Sequence, residues 1–284
     1  MRVIAHNFEW ADGGWDNAML LEGKIAVVFG GSGAIGSAVA HVMAREGAQV
    51  YLGARNLARL DRVAGEIRAA GGMAGTFTLD VLDEQSTLAH TTQLAQQAGG
   101  IDIVVNTTGF IHDQGKGIAE LYLAEFMQGI SPFLSAYFNI SKAVIPHMGG
   151  ERTGTILTVV APAGPMAVSG HSGHIVGCAG MEAFTRALAS EVSPRNIRAI
   201  CVRCHAITDA VQAGSYTRDV FMPKAQAMGL SVEEWVAGAA QSTMLKRLPT
   251  LSQVAEVMAF LASDHASAMT ATVVNMTAGA TLDG

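Results

Sequence analysis

Lys24-Ile25-Ala26-Val27-Val28-Phe29-Gly30-Gly31-Ser32-Gly33-Ala34-Ile35-Gly36 is the stretch that decides the fold. It opens as a continuous apolar run ending in glycine, the pattern of a strand buried on both faces. Gly31, Gly33 and Gly36 then match G-x-G-x-x-G. Such spacing gives a tight turn, lets the backbone approach a pyrophosphate closely, and opens a helix whose N-terminus attracts negative charge. Alone the pattern is weak, and a plain glycine-rich turn is the rival reading. Here a strand precedes it and helical periodicity follows, which is the context the mechanism requires.

Outward from this loop, strands and helices alternate. Ala34–Glu46 reads as a helix closed by Gly47, Gln49–Gly53 as a strand, and Leu57–Ala70 as a helix closed by Gly71-Gly72. Ala74–Leu79 and Ile101–Asn106 read as strands around a helix near Glu84–Gln97. A long helix is expected over Ala119–Met148, kinked or split by Pro132. Thr155–Val160, Ile197–Arg203 and Thr272–Met276 read as strands, and Ser172–Val192 and Leu251–Ala262 as helices. Residues 206–247 read as a mobile insertion with apolar helical pieces around Phe221, Met222, Met228 and Trp235. It is either a substrate lid or an ordinary amphipathic cover. The pattern predicts a single α/β Rossmann domain over residues 21–284, a doubly wound parallel sheet of about seven strands with helices on both faces. Residues 1–20 form an extension before it, with Trp10 and Trp15 either tacking it down or marking a loose arm.

Composition narrows the partners. In 284 residues, 50% hydrophobic and 15% charged, the net charge of -6 and the lack of any basic stripe argue against nucleic acid and anionic membranes. No signal peptide and no spanning apolar stretch is read, and three cysteines are too few for a disulfide framework. A cytoplasmic location is the default expectation.

In a doubly wound sheet, ligands sit beyond the carboxyl ends of the strands. The second strand ends Gly53-Ala54-Arg55-Asn56, without the acidic residue that usually holds a ribose 2′-hydroxyl. Arg55 suits a 2′-phosphate instead, so NADP(H) is expected over NAD. The rival reading makes Arg55 a solvated surface charge. The expected cofactor residues are Gly30, Ser32, Gly33, Ile35, Gly36, Arg55, Asn56, Asp80, Val81, Asn106, Thr107 and Gly109, with Asp80 placed to accept from an adenine amino group.

From Leu21 to Gly279 the chain resembles a classical member of the short-chain dehydrogenase/reductase family. Gly30 through Gly36 resembles the family's T-G-x-x-x-G-x-G, with Phe29 for the threonine and Ala34 for the second glycine. Asn106-Thr107-Thr108-Gly109 resembles N-N-A-G, Ala143–Met148 the helix end before the fifth strand, and Arg247–Gly279 the C-terminal helix and last strand. The resemblance implies a catalytic Asn, Ser, Tyr and Lys. Matched motif to motif, those positions hold Phe133, Ala161, His174 and Cys178, and the usual Pro-Gly after the sixth strand becomes Cys204-His205. It also implies a homodimer or homotetramer, for which Ala179, Gly180, Ala183, Ala187 and Ala189 offer small side chains.

His174 and Cys178, at i and i+4, share a helix face. A tyrosine needs a neighbouring cation to work at neutral pH, whereas a histidine does not. His174 is therefore the candidate acid–base group, with Cys178 and His171 beside it. The rival reading has His174 filling space in an inactive site. Ala161 cannot polarise a carbonyl, and Ser169, Ser172 or His171 are candidates to replace the missing hydroxyl. His171, His174, Cys178, Cys204 and His205 are zinc-ligand types, but their spacings match no zinc motif, and no metal is expected. Cys201-Val202-Arg203-Cys204 lies on an expected strand and reads as small buried side chains, and Asp102 and Asp209 as structural. Three functions stand: an NADP(H)-dependent oxidoreductase with non-standard catalysis on a small apolar carbonyl, enone or imine; a nucleotide-binding protein without catalysis; and a scaffold repurposed for non-redox lyase, isomerase or cyclase chemistry.

Overall fold

The computed structural model describes residues 19–282. Trp10 and Trp15 of the expected extension lie outside these residues. Seven strands form one parallel sheet in the order β3-β2-β1-β4-β5-β6-β7, the doubly wound arrangement expected. They are β1 Ile25–Phe29, β2 Gln49–Ala54, β3 Met73–Thr78, β4 Ile103–Asn106, β5 Gly154–Val160, β6 Ile197–Cys204 and β7 Thr272–Met276. The order reverses between β1 and β4, which opens a crevice above the glycine loop.

Every residue of β1 is buried because successive side chains feed opposite cores. Ala26 and Val28 join the core under helices α1 (Ala34–Arg45), α2 (Leu57–Ala69) and α9 (Leu251–Ala262). Val27 and Phe29 join the other, under α3 (Glu84–Ala98), α5 (Ser131–Val144) and α6 (Ser172–Val192). The helix ends follow local chemistry. Asn56 and Asp83 accept from the backbone N–H of Arg59 and Ser86 at 3.0 Å each, capping α2 and α3.

The helix expected over Ala119–Met148 is split. α4 covers Leu123–Gln128, and α5 begins at Ser131 with Pro132 in its first turn, where a missing N–H costs nothing. The break at Gly129 lies against the α6 backbone. A Cβ there would come within 2.5 Å of the Gly173 carbonyl carbon, and one at Gly177 within 2.0 Å of the Gly129 oxygen. The glycines of α6 thus let it lie backbone-to-backbone on the α4–α5 junction. Of the small α6 residues expected at a subunit contact, Ala179, Ala183 and Ala187 are exposed. Ala189 is not available for such a contact, being buried in this chain's own core.

Residues 206–247 fold as α7 (Thr217–Ala227) and α8 (Val232–Ala239) around a small core of Val211, Ala225, Val232, Val236 and Leu248. Asp102, expected to be structural, ties β1 to the β5 approach: it accepts from the Ile25 N–H and from Arg152 Nε, both at 2.8 Å. Asp209 accepts from the Leu251 N–H at 2.9 Å and so holds the start of α9.

Candidate active site

Glycine chemistry shapes the first cavity. Gly30 turns with φ +82°, and a Cβ there would strike Thr107 Oγ1 at 2.7 Å. That hydroxyl donates to the Phe29 carbonyl at 2.9 Å, so Thr107 buttresses the loop from the next strand. Gly33 caps α1 without any side-chain hydrogen bond, leaving first-turn N–H groups for an anion. The cavity above them, about 220 Å³, is lined by Gly30, Ser32, Gly33, Arg55, Asn56, Asp80, Val81, Thr107 and Gly109, all expected, together with Arg59. Ile35 lines the inner cavity next to it.

Two of the expected cofactor residues reach neither cavity and act from behind. Gly36 packs against the Gly30 carbonyl, where a Cβ would come within 2.3 Å. Asn106 is buried at 1% exposure and spends its amide inside the fold. Its Nδ2 donates to Thr158 Oγ1 at 3.2 Å, and its Oδ1 accepts from the Thr108 N–H at 3.1 Å. It shapes the turn and binds β4 to β5. Asn56 spends its side chain as the cap of α2, and Asp80 accepts from the Leu82 N–H at 3.0 Å.

The inner cavity, about 130 Å³, lies between Phe133, Ala161, His174, Cys178 and His205. A third, about 440 Å³, extends beyond it between the β4 and β5 loops and α7–α8. Ala161, His174, His205, Tyr216, Thr217 and Phe221 line both, so this junction is where a cofactor's reactive end would face a substrate. Tyr216 also lines the glycine-loop cavity, its ring seated on Gly109, where a Cβ would meet it at 2.0 Å. Residues of the 206–247 segment thus line the cavities from outside the sheet.

Hydrogen bonds orient the rings of His112, His171 and His205 around this junction. The Nδ1–H groups of His112 and His171 donate to the Phe110 and Ser169 carbonyls at 2.8 and 2.9 Å, leaving each Nε2 as an acceptor. Gln114 Nε2 donates to His112 at 2.9 Å, and Lys224 Nζ donates to His171. In His205, Nδ1 accepts from the Ala206 N–H at 2.7 Å, so the proton of the neutral ring sits on Nε2. His112 stacks on His174, and Cys178 Sγ lies 3.7 Å from His174 Nε2 and 3.8 Å from Nδ1, confirming their shared helix face.

Burial dominates their titration. It pushes His174 down to about 3, helped by His112, His171 and Lys224 nearby. Burial likewise lowers His112, His171 and His205. It lifts the Cys178 and Cys204 thiols up to about 12 and lowers Lys224 to about 8. The junction thus offers N–H hydrogen-bond donors, and Lys224 stands beside it in the outer cavity. All three cysteines are free and buried, as expected for the C-x-x-C pair. Among the described residues, no three His, Cys, Asp or Glu side chains gather as a metal set.

Short chain dehydrogenase sequences match residues 24–218 as a family. The chain belongs to the short-chain dehydrogenase family. Among this family's members it is 31% identical over 261 residues to 3-oxoacyl-(acyl-carrier-protein) reductase of Pseudomonas aeruginosa, covering 92% of this chain and 98% of the relative. It is 33% identical to an uncharacterized oxidoreductase of Bacillus subtilis, covering 88% of each. Two solved structures share the short-chain dehydrogenase fold. A putative short-chain dehydrogenase/reductase from Burkholderia xenovorans superimposes with a TM-score of 0.77 at 26% identity, covering 94% of this chain and 100% of the other. A short-chain dehydrogenase from Burkholderia cenocepacia in complex with NADP does so at 0.77 and 23%, covering 92% and 99%. Among the described residues no helix is long and apolar enough to cross a membrane.

Sequence reasoning missed Arg59, His112, Gln114, Tyr216 and Lys224. The signal for His112 and Gln114 was their place in the loop after β4. Arg59 stands in the first turn of α2, four residues past Arg55. Tyr216 and Lys224 stand in the covering insertion, where nothing in the local pattern marks one polar residue above another. Of the candidates to replace a missing hydroxyl, His171 lines the outer cavity, while Ser169 contributes its carbonyl to hold that ring.

Proposed function

We propose that the chain is an NADP(H)-dependent oxidoreductase in which neutral imidazoles meet the substrate oxygen, in place of a tyrosine–lysine pair. The carrying observation is the end of β2. Arg55 and Arg59 flank the glycine-loop cavity, Ala54 supplies no carboxylate, and among the described residues no acid pairs with either guanidinium. Two free cations beside a ribose pocket suit a 2′-phosphate. The residues of the adenosine half fit the cofactor, and the NADP complex of the Burkholderia cenocepacia neighbour is consistent with that fit. NADPH, when bound, supplies a hydride.

The chain's own residues do the rest. Phe133, Ala161, His174 and Cys178 hold the positions of the expected Asn, Ser, Tyr and Lys. The Nε2–H of His205 and the ring of His174 face the junction and stabilise negative charge on a substrate oxygen. His174, held neutral, acts here as a hydrogen-bonding group, and water entering through the outer cavity gives the proton that completes the reduction; Cys178 supports the His174 ring, and His171 lines the approach. Met166, Val168, Ile175, Phe221 and Trp235 make the outer cavity apolar, which suits an apolar carbonyl, enone or imine compound. The P. aeruginosa relative's name, a 3-oxoacyl reductase, favours the carbonyl. The chain works in the cytoplasm as a homodimer or homotetramer, with Ala179, Ala183 and Ala187 toward a second copy.

Fluorescence titration with NADPH and NADH tests this reading, followed by turnover on ketone, enone and imine panels. Micromolar NADPH binding, much weaker NADH binding and NADPH oxidation with one panel support it. A second reading, a nucleotide-binding protein without turnover, is favoured by His174 being held neutral beside an unionised Cys178 thiol. Tight NADPH binding with all panels silent selects it. No binding of either nucleotide overturns both and leaves non-redox chemistry.

A further inference from the structure

The outer cavity is apolar on most of its wall but holds one cation. Lys224, on α7, is half-buried among Phe221, Trp235 and Val168. Its Nζ donates to Gln114 Oε1 at 3.1 Å and to His171 Nε2, and lies 6.0 Å from the Trp235 ring centroid. Neither partner offers a counter-charge: Gln114 is uncharged, and burial, with Lys224 beside it, disfavours protonation of His171. Among the described residues no carboxylate lies within ion-pair distance of Nζ. Asp113, the acid whose charge reaches Lys224, accepts instead from the Lys116 N–H at 3.3 Å.

A cation drawn out of water without a counter-ion costs free energy that a bound anion would recover. Two of the three ammonium N–H groups are committed, so one remains. Gln114 and His171 turn acceptor atoms toward Lys224 and cannot themselves serve an anion through those atoms. One charge and one open donor fit a carboxylate and under-serve a phosphate dianion, which asks for several donors.

We propose that Lys224 anchors a carboxylate on an otherwise apolar substrate, making the substrate class an apolar oxo acid. The oxo part of that class rests on the oxidoreductase reading, whereas the carboxylate anchor stands without turnover. Gln114 and His171 are positioning residues that hold the ammonium at the wall of the cavity. The apolar body then lies along Phe221 and Trp235, toward the His174–His205 junction.

Calorimetric titration tests the anchor, with and without saturating NADP+ so that binding at Arg55 and Arg59 is recognised by competition. The probes are a series from phenylacetate to phenylvalerate, their matched primary amides and a phenylalkyl phosphate. The best carboxylate is expected to bind at least about tenfold tighter than its amide, equivalent to about 1.4 kcal/mol. Lys224→Met should erase that preference while amide binding and thermal unfolding stay as in the wild type, and Lys224→Arg should keep it. Equal binding of acid and amide by the wild type, binding of neither, an undiminished preference in Lys224→Met, or tighter binding of the phosphate outside the cofactor cavity would each overturn the anchor. Turnover of neutral ketones with no preference for acids would sink the anchor and spare the oxidoreductase reading. A Lys224-dependent preference without turnover would do the reverse.

Discussion

The imidazole of His174 stacks on that of His112, with ring centroids 4.1 Å apart and planes 14° from parallel. Two protonated rings could not share this arrangement, and burial lowers both pKa values. In the folded chain His174 titrates at about 3, against 6.5 for a free imidazole. Between those values the unfolded chain binds the proton and the folded chain does not, so stability falls as pH drops below about 6.5. His174 alone should cost about 2 kcal/mol between pH 7 and pH 5. Urea unfolding at the two pH values checks this. His174→Gln should flatten the dependence, and an equally steep loss in that variant would refute the assignment.

Arg55 and Arg59 are exposed, so each should act on nucleotide choice and hardly on folding. Replacing either by Ala is expected to weaken NADPH binding by about tenfold, the scale of a charge-assisted hydrogen bond. NADH binding should be unchanged. Parallel loss for both nucleotides would show that the arginines do not read the 2′-phosphate.

Glu182 and Arg203 form a buried pair one helical turn beyond Cys178, with Nε–Oε1 at 2.7 Å and Nη2–Oε2 at 3.0 Å. Removing the carboxylate takes two charge-assisted hydrogen bonds from a buried guanidinium. Glu182→Ala should destabilise the chain by about 3–5 kcal/mol. A melting temperature within error of the wild type would show that the strand end relaxes to admit water.

Gly177 touches the Gly129 carbonyl, one turn from His174. Gly177→Ala should push α6 off the α4–α5 junction, lowering the melting temperature and loosening the His174 stack. Overpacking of this kind costs about 1–3 kcal/mol. An unchanged melting temperature and an unchanged His174 resonance in NMR would contradict the tight fit.

The sequence by itself determined the sheet and the glycine loop that follows its first strand. Ser172–Val192, Leu251–Ala262 and Thr272–Met276 fall where the pattern placed them, because local periodicity and the burial of parallel strands are written along the chain. The glycine loop, Arg55 and the strand-end residues were legible for the same reason: each sits at a fixed offset from a strand. Pro132 announced a kink or split in the Ala119–Met148 helix, but only the tertiary structure placed the break at Gly129, against the α6 backbone. Only it joined Lys224 to His171 and Gln114, residues 53 and 110 positions away in the chain. And only it set the state of His174. A pKa depends on how much water and which charges surround a ring, and for His174 those neighbours come from the β4 loop and α7 as well as its own helix.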